Sequence, residues 1–142
     1  MRHRVAGTQI ELAKLIAAEV APPREWVGLS SDEIAARSEA AIEQFGLAAV
    51  RDTFPRFLAR GDKQKLCIAA IVAMRPDVLL LDEPTTGQDH RDARQIMELA
   101  QALNAQGITI LLVTHDMGNV ARYARRVVAM RNGTIRADGP PA

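Results

Sequence analysis

The residues best equipped for chemistry are two adjacent carboxylates closing an apolar run, Val78-Leu79-Leu80-Leu81-Asp82-Glu83-Pro84. A strand of this kind fixes its backbone and can hold Asp82 where the hydration shell of a metal ion needs an anionic oxygen. Side chains alternate along an extended chain, so Glu83 points elsewhere and can polarise or orient a water as a general base. Carboxylates at strand ends are common, and taken alone the run also fits a strand that merely ends in a polar turn. Three further segments surround it. Leu58-Ala59-Arg60-Gly61-Asp62-Lys63-Gln64-Lys65 precedes it, Thr85-Thr86-Gly87-Gln88-Asp89 follows it, and Val113-Thr114-His115-Asp116 closes the next apolar run. A helix N-terminus gathers unpaired N–H groups and partial positive charge, so a helix opening near Gly61 would attract phosphate. His115 is a candidate hydrogen-bonding group, although a lone histidine after a strand is more often a capped turn residue.

Periodicity supplies the elements that must position these groups. Residues 8–20 carry Ile10, Leu12, Ala13, Leu15 and Ile16 in a helical pattern that Pro22-Pro23 stops. Ser30 and Glu33 form a capping box ahead of Ile34, Ala41, Ile42 and Phe45, with Gly46 as terminator. After a Gly61-Asp62 turn, Gln64 to Met74 reads as a third helix ending before Arg75-Pro76. Asp77 to Leu81 and Ile108 to Thr114 read as strands buried on both faces, joined through a helix over Arg91 to Ala105 with Ile96, Leu99, Ala100 and Leu103 on one side. Met117 to Ala124 reads as a helix and Val127 to Met130 as a strand, with Asn132-Gly133 turning the chain into Thr134 to Ala137. The sum is an α/β layer with a helical attachment.

The four segments, in this order and at these spacings, resemble the signature, Walker B, D-loop and switch-histidine motifs of ABC-transporter ATPases, over roughly Leu58 to Gly139. The resemblance implies a helical subdomain over 1–57, starting just after the Q-loop, and the C-terminal part of the ATPase core over 58–142. It further implies ATP and Mg²⁺ as ligands, with Asp82 in the metal's shell, Glu83 and His115 as catalytic residues, and Gly87, Gln88 and Asp89 communicating across a dimer. Leu58, Ala59, Arg60, Gly61, Asp62 and Gln64 would close over nucleotide held by a second ATPase subunit, and a transmembrane transporter subunit would complete the assembly. Ala59 stands where the commonest signature has serine, so one charge-assisted hydrogen bond of ~1.5 to 3 kcal/mol is absent. The Arg-Gly-Asp-x-Gln-Lys variant is similar to energy-coupling-factor ATPases, which drive vitamin and metal-ion uptake.

A phosphate-binding loop needs Gly-Lys-Ser/Thr, and none of the nine glycines is followed by lysine. The expected fold is therefore a partial P-loop NTPase (RecA-like) sheet without its N-terminal phosphate-loop strand, and the expected chain is a truncated one, inactive alone. In the family the missing strand lies between the strand before His115 and that at Val127, so its loss leaves unpaired edges that favour association. One alternative is a non-catalytic partner that donates its signature to a complete subunit. Another is a DNA-repair ATPase, which Pro22-Pro23, Gly46 and the single cysteine disfavour.

Composition agrees with a globular protein: 48% hydrophobic, 25% charged and a net charge of +1 that offers no footprint for nucleic acid. Cys67 alone excludes an internal disulfide; its apolar helical setting predicts a buried, inert thiol and a reducing compartment. No apolar run approaches the ~20 residues of a membrane span, so the expected location is cytoplasmic, peripheral to the membrane. His3 and His90 are expected as solvated surface residues.

Overall fold

The computed structural model describes residues 28–141. The helix expected over 8–20 lies outside them, as does His3. The chain divides into two compact units, Met1–Leu79 and Leu80–Ala142.

In the first unit, helix α1 (Ser31–Gln44) begins on the expected capping box. The Glu33 amide donates to Ser30 Oγ at 3.2 Å, and the Ser30 amide donates to the Glu33 carboxylate at 2.9 Å. The Ser30 Oγ–H also donates to that carboxylate at 2.9 Å, and the two bonds it accepts from Ser30, the backbone one foremost, hold the Glu33 carboxyl below its ordinary range. Replacing Ser30 by alanine is expected to cost about 1 kcal/mol, read as faster amide exchange across the first turn of α1. The helix stops at Gly46, whose φ of +66° is a left-handed conformation that glycine adopts without penalty. Its inward stripe buries Ala41, Ile42 and Phe45, and Leu47 follows them into the core.

Two short 3₁₀ turns, Ala48–Val50 and Pro55–Phe57, lead to α2 (Arg60–Val72), which packs on α1. Helix α2 starts earlier than expected. Gly61 and Asp62 sit in its first turn and not ahead of it, because Ala59 already makes the extended entry at φ −59°, ψ 158°. The exit is sharper than a proline effect alone, since Arg75 is left-handed at φ +55°. Cys67 is exposed, contrary to the expectation of a buried thiol. Lys63 and Cys67, four residues apart, share the solvent stripe of α2, whereas Ile68 and Ala69 take the buried one.

Strand β1 (Val78–Asp82) carries the chain into the second unit, followed by α3 (His90–Ala105), β2 (Thr109–Val113), α4 (Met117–Tyr123), β3 (Val127–Arg131) and β4 (Thr134–Gly139). Strands β1 and β2 are hydrogen-bonded neighbours. The Glu83 amide donates to the Val113 carbonyl at 2.9 Å, so the two C-terminal ends lie together and the strands run parallel, as a strand-helix-strand connection requires. Helix α3 packs on β2 and α4, and Ile96 and Leu103 are fully buried beside Met97, Ala100 and Leu81. Leu99, placed on the same side in the sequence reading, is only half-buried. His90, at the start of α3, is exposed as expected.

The strands are not buried on both faces, as their apolar runs predicted. In β1, Leu79 and Leu81 are buried while Val78 and Leu80 are 57% and 58% exposed. In β2, Leu111 and Val113 are 56% and 50% exposed. Alternation turns every second side chain outward, and no described element covers the outer face. Strands β3 and β4 form a separate antiparallel hairpin. Its turn has the expected Asn132-Gly133 chemistry, both residues at positive φ. Arg126 grips Asp138 through two bonds of 2.7 Å at the hairpin's open end.

A candidate carboxylate and histidine cluster

Glu83 lies one residue past β1, and its φ of +47° departs from what a non-glycine residue prefers. Such a conformation costs of order 1 kcal/mol and persists only where the surroundings over-determine it. Here they do. Besides the amide bond to Val113, Oε1 accepts from the His115 backbone N–H at 3.1 Å and lies 2.7 Å from His115 Nδ1, while Oε2 accepts from Thr86 Oγ1 at 2.8 Å. Both carboxylate oxygens are therefore held, and the loops after β1 and β2 are tied at one residue.

The geometry also fixes the imidazole. With Nδ1–H directed at Glu83, Nε2 is the ring nitrogen left to face a ligand, and the His115 side chain is 81% exposed. The hydrogen bond to Glu83 and that residue's negative charge raise the His115 pKa above its ordinary value. In return His115 first, then Thr86, hold the Glu83 carboxyl below the usual carboxylate range. The raised histidine contributes stability that is full below its unfolded pKa and is lost as pH rises through the folded one. The depressed carboxylate contributes stability present above its unfolded pKa and lost as pH falls through the folded one. The pair's contribution is thus full between 4.5 and 6.5 and declines as pH falls below the first or rises above the second. An NMR titration of the chain is expected to place the His115 midpoint above that of free histidine, and Glu83→Gln is expected to return it towards 6.5.

Thr86 and Asn119 did not stand out in the sequence. Asn119 bridges the loops again, donating through Nδ2 to Asp116 Oδ2 at 2.9 Å and to Thr85 Oγ1 at 3.4 Å. The available signal was a threonine hydroxyl three residues after a carboxylate, which a turn brings within reach. The Asp116 side chain caps α4 through the Asn119 amide at 3.0 Å.

The Asp82 side chain is exposed and has no hydrogen-bond or ion-pair partner among the described residues. Among the described residues no three His, Cys, Asp or Glu side chains gather as a metal cage. One free carboxylate at a strand end suits Mg²⁺, which keeps several waters and is held by one or two carboxylates together with phosphate oxygens.

Asp89 is engaged as the N-cap of α3, accepting from the amides of Arg91 and Asp92 at 2.9 and 2.8 Å. Gly87 is left-handed at φ +72°, and the Gln88 amide donates to the Thr85 carbonyl at 3.1 Å, so these residues form an ordered turn. The segment from Leu58 to Gln64 belongs to the first unit. Leu58 and Gly61 are buried there, Ala59 and Arg60 are exposed, and Asp62 and Gln64 are half-buried. No side chain caps the start of α2, in contrast to the Asp89 cap of α3.

The profile of a family described as ABC transporter matches residues 4–86. An ABC transporter ATP-binding protein of Methanosarcina acetivorans is 44% identical over 118 residues, covering 83% of this chain and 19% of the relative. The energy-coupling factor transporter ATP-binding protein EcfA of Methanothermobacter thermautotrophicus is 35% identical over 115 residues, covering 81% of this chain and 37% of the relative. Among solved structures, cbiO1 from Clostridium perfringens, part of the ABC transporter complex cbiONQ, superposes with a TM-score of 0.74 at 36% identity, covering 80% of this chain and 45% of that one. The chain thus spans less than half the length of each. No helix among the described residues is long and apolar enough to cross a membrane.

Proposed function

The chain belongs to the ABC transporter ATP-binding family, and from that premise we propose that it supplies the hydrolytic side and the closing signature of an ATPase that powers solute transport. The observation that carries this reading is the Glu83–His115 pair, a fixed carboxylate 2.7 Å from an imidazole whose other nitrogen faces outward. His115 Nε2 would donate to a γ-phosphate oxygen once it carries a proton, and in the neutral imidazole that single proton then leaves Nδ1, which loosens its hold on Glu83. Once one of its oxygens is released, Glu83 can accept the proton of an attacking water. Asp82 would hold a hydrated Mg²⁺, which offsets phosphate charge when bound.

The uncapped N-terminus of α2 would close over the γ-phosphate bound by a second ATPase subunit, with Arg60, Gly61, Asp62 and Gln64 at that contact. Asp89, Gly87 and Gln88 would transmit closure between subunits. The phosphate loop itself must come from polypeptide outside these 142 residues, since no Gly-Lys pair occurs among them. The likeness to EcfA and to cbiO1 supports an energy-coupling-factor type of assembly, seated at the cytoplasmic face of a membrane subunit.

The test joins this sequence to a polypeptide carrying Gly-x-x-x-x-Gly-Lys-Ser/Thr and measures ATP turnover. Turnover that needs both parts and Mg²⁺ supports the reading. Nucleotide binding without any hydrolysis would reassign the chain to a partner that only donates its signature.

A further inference from the structure

Immediately ahead of the signature, the turn Phe54-Pro55-Arg56-Phe57 displays an arrangement that nucleotide chemistry does not require. The chain has three phenylalanines. Phe45 is core, but Phe54 and Phe57 are 46% and 68% exposed and meet edge to face with centroids 6.4 Å apart. The Arg56 guanidinium lies over both rings, 5.3 Å from the Phe54 centroid and 4.5 Å from that of Phe57, within the range of cation–π attraction.

The backbone beneath is preformed. Pro55 opens the 3₁₀ turn, the Phe57 amide donates to the Phe54 carbonyl at 2.9 Å, and buried Leu58 anchors the exit. The guanidinium carbon lies within cation–π range of both rings, and among the described residues no carboxylate pairs with it. The surrounding charge has the same sign. From Arg51 to Lys65 there are five basic residues (Arg51, Arg56, Arg60, Lys63 and Lys65) and two acidic ones (Asp52 and Asp62). Arg51 is neutralised by Glu39 at 2.6 Å and Lys65 faces Asp62 at 3.5 Å, so among the described residues Arg56 stands as an unneutralised cation beside two exposed rings.

We propose that Phe54, Arg56 and Phe57 form a docking site for an acidic protein segment, in which a partner's carboxylate pairs with the Arg56 fork and a flanking apolar side chain covers the rings. Aromatic and arginine anchors held rigidly are the residues that dominate protein interfaces, because little entropy is lost on binding and the paired carboxylate is partly desolvated. A phosphate would satisfy the guanidinium as well but would leave the two rings in water, and this favours a protein ligand. Phe57 directly precedes Leu58, so the docking turn is contiguous in the chain with the signature. The inference goes beyond the ATPase reading and stands or falls without it.

The probes are two twelve-residue peptides, four repeats of Glu-Leu-Leu and the same sequence with glutamine for glutamate, together with inorganic triphosphate. Each is titrated into the chain while the Arg56 Nε–H and the ring signals of Phe54 and Phe57 are followed by NMR. The glutamate peptide is expected to shift all three sets, with Arg56→Ala weakening it about tenfold or more and Phe57→Ala weakening it without removing the Arg56 shift. Unchanged far-UV circular dichroism verifies that the exposed substitutions leave the fold intact. Equal binding of the glutamine peptide, ring signals that do not move, or a response to triphosphate alone would each overturn the proposal.

Discussion

Replacing Glu83 by glutamine is expected to abolish ATP turnover in an assembled ATPase containing this chain, by a factor of about 10² to 10⁴, while nucleotide binding persists. The amide is isosteric with the carboxylate, and its oxygen can still accept from the His115 amide or from Thr86. What it lacks is a basic oxygen to receive a proton and a negative charge to hold the imidazole at Nδ1. A single-turnover assay separates the effects: loss of the chemical step with retained ATP affinity supports the assignment, and undiminished hydrolysis refutes it. His115→Ala removes the phosphate contact and the bond to Oε1 together, so the two substitutions are expected to be far from additive.

The second large effect is on stability. Leu103 is fully buried on α3, and truncation to alanine is expected to cost about 3 kcal/mol through lost transfer energy and the cavity left behind. The second unit buries few other large side chains, so this loss is expected to remove its cooperative unfolding transition in a thermal melt. Leu99→Ala, one turn away on a half-buried position, serves as the comparison and is expected to cost markedly less. Similar melts for the two variants would mean that α3 is not the packing centre of this unit.

These two outcomes differ in how far the sequence alone reaches. Local chemistry was readable wherever an interaction closes within a few residues. Ser30 and Glu33 announced their capping box, Asn132-Gly133 its hairpin turn, and the alternation of α3 its buried stripe, because each depends on chain geometry over three or four residues. The ordered motifs likewise placed Asp82, Glu83 and His115 at strand ends, which is where they lie.

Tertiary structure decided the rest. Apolar runs at β1 and β2 say that each residue is compatible with burial, but whether a second layer covers them depends on other elements, and here Leu80 and Leu111 remain exposed. Cys67 is apolar enough for a core, yet it falls on the solvent stripe of α2 because the phase of a helix is set by the partner it packs against. The 2.7 Å contact between Glu83 and His115 spans 32 positions, and the hold of Thr86 on the same carboxylate needs Glu83 in a left-handed conformation that its residue type does not favour. Sequence determined the order of the motifs and the local turns of this chain. Only the pairing of β1 with β2, which sets two strand ends side by side, made a carboxylate and a histidine into one site.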